Sequence, residues 1–176
     1  GKTSLGRALL NINPKNAQTT FDEIIINHGE QYSLTESEEL NNLRGSVISM
    51  LFQEPTIYLN PSMKCGLQIL EAILLDGKDD KKTAKHKILI SLSSIGFDDP
   101  ERIYKSFPNQ LSGGECQRVM LVMSTIRNPN LLIADEPSSS VDTSTKEKVF
   151  DYFKMLVASH GVSIILITHD LPLALE

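Results

Sequence analysis

LSGGECQRVMLVMSTIRNPNLLIADEPSSSVD, running from Leu111 to Asp142, holds the reading of the fold in its second half. There the apolar run Leu131-Leu132-Ile133-Ala134 stops abruptly at Asp135-Glu136-Pro137, the pattern of a strand buried on both faces with two carboxylates at its carboxyl tip. Open parallel sheets bind their ligands at that edge. Neighbouring strand side chains point to opposite sides, so Asp135 and Glu136 can divide two tasks, holding a metal's water shell and orienting an attacking water. Alone, the pair would read as two acids closing a strand at the surface.

The first half of the stretch adds a phosphate site. Ser112-Gly113-Gly114-Glu115 has capping-box spacing, and Val119 to Met123 is apolar on every side, which predicts the amino end of a buried helix. The first amides of such a helix lack intrahelical partners, and two glycines let a phosphate approach the backbone with no Cβ in the way.

With these residues in view, LSGGECQR resembles the signature sequence of ATP-binding cassette ATPases, LLIADEP resembles their Walker B strand, and SSSVD is similar to their D-loop. The joint match, in that order and at that separation, is highly specific. Cys116 sits at a variable signature position, and Val141 stands where a leucine is more usual.

Composition agrees with such a domain. The chain has 176 residues, 40% of them hydrophobic and 22% charged, enough for one sizeable core in a soluble globular domain. A net charge of -5 gives no electrostatic footprint for nucleic acid, so no nucleic-acid partner is expected. Cys65 and Cys116 read as two unrelated thiols without metal-ligand spacing, which points to a reducing, cytoplasmic setting. No apolar run approaches membrane-spanning length and no signal peptide is visible, so membrane contact is expected through a partner protein.

Gly1-Lys2-Thr3-Ser4, followed by Leu5, Leu9 and Leu10 at helical spacing and closed by Pro14, resembles a P-loop entered halfway. In that pattern the backbone cradles phosphates, Lys2 reaches the β and γ phosphates and Thr3 binds magnesium. The upstream glycines and the family's adenine-stacking aromatic are absent, so the chain is read as truncated at both ends, its start lying inside the nucleotide site. Phe21 to Asn27 predicts a strand, and Ser33 to Leu43 a short polar helix with overlapping capping boxes, Ser33 with Glu36 and Thr35 with Glu38. Neither carries chemistry.

Gly45 to Phe52 predicts another strand, ending at Gln53-Glu54-Pro55. In the family this is the Q-loop, whose glutamine touches magnesium and the attacking water. The stretch LRGSVISMLFQEPTIYLNPSMKCGLQILEAI is similar to the ATP-binding subunits of the oligopeptide, dipeptide and nickel importer group, supported by SFPNQLSGG. From Met63 to Lys105 the composition is helical: Leu67 to Leu75 ends at Asp76-Gly77, and Thr83 to Ile95 puts Ala84, Ile88, Leu89, Leu92 and Ile95 on one face before Gly96. Thr145 to Ser159 predicts a crossover helix. Ser163 to Thr168 predicts a second doubly buried strand, tipped by His169-Asp170, the family's H-switch.

The expected fold is an α/β P-loop domain of the cassette type: a parallel core sheet from residues 1–61 and 111–176, and a helical subdomain over 62–110. The resemblance implies ATP binding and hydrolysis that power a membrane importer for peptides or nickel, with ATP and Mg2+ as cofactors and a peripheral place on the inner face of the cell membrane. It implies Glu136, His169 and Gln53 as catalytic residues and Thr3, Gln53 and Asp135 as metal ligands. Gly1, Lys2, Thr3, Ser4, Ser112, Gly113, Gly114, Gln117 and Asp142 would bind nucleotide. The implied partners are transmembrane permease subunits, a second ATPase domain and, indirectly, a solute-binding protein. Two alternatives stay open on the residues alone: a cassette ATPase outside transport, and a truncated remnant without activity.

Overall fold

In a computed structural model of the chain, which describes residues 2–10, 12, 25–28, 30–33, 43–75, 77–137 and 143–169, the run Leu131–Asp135 is strand β4. It lies between β3, Ile48–Leu51, and β5, Ser163–Ile167, in a three-stranded parallel sheet. Leu51 pairs with Ala134 and Ala134 with Leu166, so the three strands end level. Everything that follows their carboxyl ends therefore leaves the sheet at one edge.

The alternation of strand side chains divides the core in two. Leu51, Leu132 and Ala134 point into a large apolar cluster, with Ile164 and Leu166 packed against it. Ile48, Met50, Ile133 and Ile167 point to the other face, where they meet Leu10 and Leu43. Helix α1, Lys2–Leu9, lies on this second face. A Cβ on Gly6 would sit 3.1 Å from Ile133 Cγ2 and 3.2 Å from Ile167 Cδ1, so the glycine sets how closely α1 approaches the sheet.

The first face is covered by helices: α2 Pro55–Tyr58, α3 Cys65–Leu74, α4 Lys81–Ser94, α5 Pro100–Lys105, α6 Gly113–Thr125 and α7 Thr143–His160. Asp80 caps α4 by accepting from the amides of Lys82 at 2.9 Å and Thr83 at 2.8 Å. Past its end Gly96 takes φ +85, a conformation glycine adopts without steric cost. The stripe Ala84, Ile88, Leu92 and Ile95 is fully buried. Each of the larger members contributes about 1.5–3 kcal/mol by leaving water. That stripe shares one continuous cluster with Leu132 of β4 and Val149 of α7.

Several expectations are corrected. The strand over 163–168 is not buried on both faces: Ile165 is 41% exposed, because among the described residues no strand lies outside β5. Ser33 is the last residue of a strand, β2 at Glu30–Ser33, which pairs antiparallel with β1 at Ile25–His28, and the helix expected after it falls almost wholly outside the described residues. Residues 21–24 and 34–42 lie outside the described residues. Cys65 and Cys116 are both free thiols, buried in the same cluster. Burial, reinforced by the neighbouring Cys116, pushes the Cys65 thiol up to about 12. Among the described residues no helix is long and apolar enough to cross a membrane.

Candidate functional site

The level ends of the strands deliver Gln53, Asp135-Glu136 and Thr168-His169 to a single edge, and α1 begins beside them. Asp135 is 1% exposed. Its Oδ1 accepts from the Thr3 hydroxyl at 3.1 Å, across the whole length of chain between α1 and β4. A hydroxyl and a carboxylate side by side make an all-oxygen donor pair, the chemistry that suits a small hard cation such as magnesium. Lys2 lies next to them, its Nζ donating to the Thr168 carbonyl at 3.1 Å. The first turn of α1 carries no acid, so the lysine and the amino end of that helix can accept an anion. Ser4, one position on, is exposed.

Glu136 takes φ 51, a left-handed conformation that is costly for a residue with a side chain. Among the contacts that hold it there, its amide donates to the Ile167 carbonyl at 2.8 Å, and its Oε2 lies 2.8 Å from His169 Nδ1. The turn swings the Glu136 carboxylate away from the direction of Asp135 and toward the tip of β5. The Glu136 side chain is 14% exposed and that of His169 75%, so the histidine presents its other ring nitrogen to solvent. Gln53 is exposed two residues beyond β3, level with this pair.

Ser112, Gly113 and Gly114 form a separate end, the amino terminus of α6. The capping box is closed in both directions: Ser112 Oγ accepts from the Glu115 amide at 3.2 Å, and Glu115 Oε2 accepts from the Ser112 amide at 2.9 Å. A Cβ on Gly113 would meet nothing within 4 Å, so this end faces open space. The side-chain bonds of Ser112 go to Glu115, not to Lys2, Thr3 or Glu136.

Gln117 departs from the expectation that it would touch nucleotide. It is 1% exposed, and its Nε2 donates to the Pro137 carbonyl, tying α6 to the residue that follows Glu136. Gly1 and Asp142 lie outside the described residues.

Sequence reasoning missed the residues that hold α6 in place. Arg102 pairs with Glu115 Oε1. Arg118 donates to the Gly96 carbonyl at 2.9 Å and lies 4.1 Å from the centre of the Phe97 ring. No spacing rule could find these partners, because they come from different elements of the chain. Burial tends to raise the Glu115 pKa, but the Ser112 amide and the Arg102 guanidinium outweigh it and hold the carboxyl below its ordinary value.

A family model described as ABC transporter matches residues 1–139. Among curated relatives, the dipeptide transport ATP-binding protein DppD of Bacillus subtilis (strain 168) is 36% identical over 171 residues, 97% of this chain and 51% of the relative. The oligopeptide transport ATP-binding protein OppD of Lactococcus lactis subsp. cremoris (strain SK11) is 34% identical over 176 residues, 100% of this chain and 52% of the relative. The chain thus spans about half the length of the curated relatives it matches. Among solved structures, the dimeric structure of MJ0796, a bacterial ABC transporter cassette, superimposes with a TM-score of 0.83 at 25% identity, covering 99% of this chain and 72% of that one.

Proposed function

The chain belongs to the ABC transporter family, and from that premise we propose that it binds and hydrolyses ATP to drive import of a small solute, most plainly a peptide, through membrane permease subunits. One observation carries the reading: Thr3 bonded to Asp135 at 3.1 Å, beside Glu136 within 2.8 Å of His169, at a single sheet edge. The names of the relatives, dipeptide and oligopeptide transport ATP-binding proteins, favour peptide over nickel as the solute.

Each residue has a task in this reading. Lys2, the amides of α1 and Ser4 hold the phosphates. Thr3, Asp135 and Gln53 would hold magnesium, which when bound neutralises charge on the phosphate oxygens. Glu136 orients the attacking water and accepts its proton. His169 holds Glu136 through Nδ1 and presents its outer nitrogen toward the γ phosphate. Positioning and charge stabilisation supply most of phosphoryl-transfer catalysis, so a strained but held Glu136 suits the task.

Ser112, Gly113 and Gly114 lie at the amino end of α6, which opens on free space at Gly113 and so can act in trans: clasping the ATP held by a second cassette in a head-to-tail pair. Gly1 and Asp142 keep their proposed places in nucleotide binding. Residues 62–110 are proposed as the helical subdomain that meets the permease, with the protein peripheral on the inner face of the membrane.

The test is thermal melting of the full-length protein with and without Mg-ATP, followed by phosphate release. A ligand that binds only the folded state raises its stability, by about 2.7 kcal/mol at a hundred times Kd. Melting that ignores saturating Mg-ATP would remove the reading.

A further inference from the structure

The two helix ends assigned to phosphate differ in one respect: the first turn of α1 has no acid, whereas that of α6 carries Glu115. This carboxylate is fixed at the helix end, with Oε2 on the Ser112 amide at 2.9 Å. It occupies the favourable end of the helix dipole that a phosphate would use, and its charge repels one. The structure supplies a countercharge, because the Arg102 guanidinium bonds the other oxygen, Oε1.

Arg102 is itself built in. It lies in α5, where its amide donates to the helix cap Asp99 at 2.9 Å, and its carbonyl accepts from Ser106 Oγ at 2.7 Å. The acid beside it, Glu101, is occupied by Lys85 at 2.8 Å and Lys105 at 3.2 Å. Glu101 is thereby kept from competing for Arg102.

We infer that Arg102 is a positioning residue for the α6 phosphate site: by neutralising Glu115 and holding it against the Ser112 amide, it lets a helix end that carries its own anion accept the terminal phosphate of ATP on a second cassette. The inference rests on the sandwich reading given under Proposed function. It also makes α5 part of that site, so a shift of α5 relative to α6 exposes the Glu115 charge and weakens the grip on phosphate.

The experiment titrates the full-length protein with magnesium and a non-hydrolysable ATP analogue, following dimer formation by light scattering. Arg102→Ala should move the midpoint to about tenfold higher analogue concentration, while Arg102→Lys stays close to wild type. Adding Glu115→Gln to Arg102→Ala should restore the midpoint to within about threefold of wild type, because the repelling charge is gone although the ion pair is still missing. Simple loss of an α5–α6 contact predicts no such rescue. If Arg102→Ala fails to fold, Arg102→Gln, which keeps the stem without the charge, replaces it in the same comparison. An unchanged midpoint in the single variant, or a double variant no better than the single, overturns the inference. A wild type with no analogue-dependent dimer fells the sandwich reading itself, and this inference with it.

Discussion

The hydroxyl of Thr3 and the carboxylate of Asp135 stand 3.1 Å apart although 132 positions separate them in the chain. That contact locks α1 to the tip of the central strand. It leaves a pair of oxygens, one neutral and one charged, in a position 1% exposed on the Asp135 side. A buried carboxylate beside a hydroxyl is the oxygen pair expected of the proposed magnesium site.

Asp135→Asn keeps the shape of that pair and removes its charge. The ligand-free protein should melt within about 1 kcal/mol of wild type, since the Thr3 bond has an oxygen to accept it in either case. The additional stabilisation that magnesium gives over ATP alone should disappear. Calorimetric melting with ATP, with and without the metal, reads both effects, and a persisting magnesium increment would take Asp135 out of the metal site.

Glu136→Gln retains a side chain of the same size at φ 51 and still offers an oxygen to His169 Nδ1. It removes the proposed base. ATP affinity should stay close to wild type, while turnover falls by about 10²–10⁴-fold, the range typical of a lost general base. Single-turnover hydrolysis with the bound nucleotide measured in parallel separates the two. Full turnover in the variant would assign the water to another group.

The strand tips and the α6 cap were legible because they rest on local rules. An apolar run that stops at acids marks β4, and Ser112 with Glu115 at capping-box spacing marks the start of α6. The exposure of β5 was not legible, since Ile164-Ile165-Leu166 has the same composition whether or not another strand covers it. Arg102 with Glu115 and Lys2 with the Thr168 carbonyl were out of reach for a different reason: each joins elements whose proximity only the folded chain creates. Gln117 left a usable hint. It directly precedes Arg118 and the apolar run that begins at Val119, at the point where the helix enters the core, so a buried structural partner was a reading to weigh beside nucleotide.

Gly66 tests the packing that sets α3 against α5. A Cβ there would lie 2.2 Å from Tyr104 Cδ2 and 2.3 Å from Cγ, far inside contact distance, and the Tyr104 ring is itself buried. Gly66→Ala should therefore destabilise by about 1–3 kcal/mol, the usual cost of overpacking. Urea unfolding reads it directly. A midpoint equal to wild type would mean that the ring moves aside at no cost.

The ionisable groups around α6 predict losses of stability at both extremes of pH. Glu115 has its folded pKa held below the ordinary value, with the Ser112 amide and Arg102 overcoming the effect of burial. Its contribution is therefore present at neutral pH and fades as pH falls below the usual glutamate range, where the unfolded state takes up the proton first. Glu115→Gln should flatten that acid limb. Cys65 acts at the other end, its thiol raised from 9.0 to about 12 by burial and by Cys116. Between those values the unfolded chain loses a proton that the folded chain keeps, so stability declines as pH climbs above about 9. Cys65→Ala should remove part of that alkaline slope while creating a small cavity, which lowers the plateau instead. Urea midpoints measured from acid to alkaline pH for the wild type and the two variants distinguish slope from plateau. An alkaline limb of undiminished slope in Cys65→Ala would show that another group titrates there.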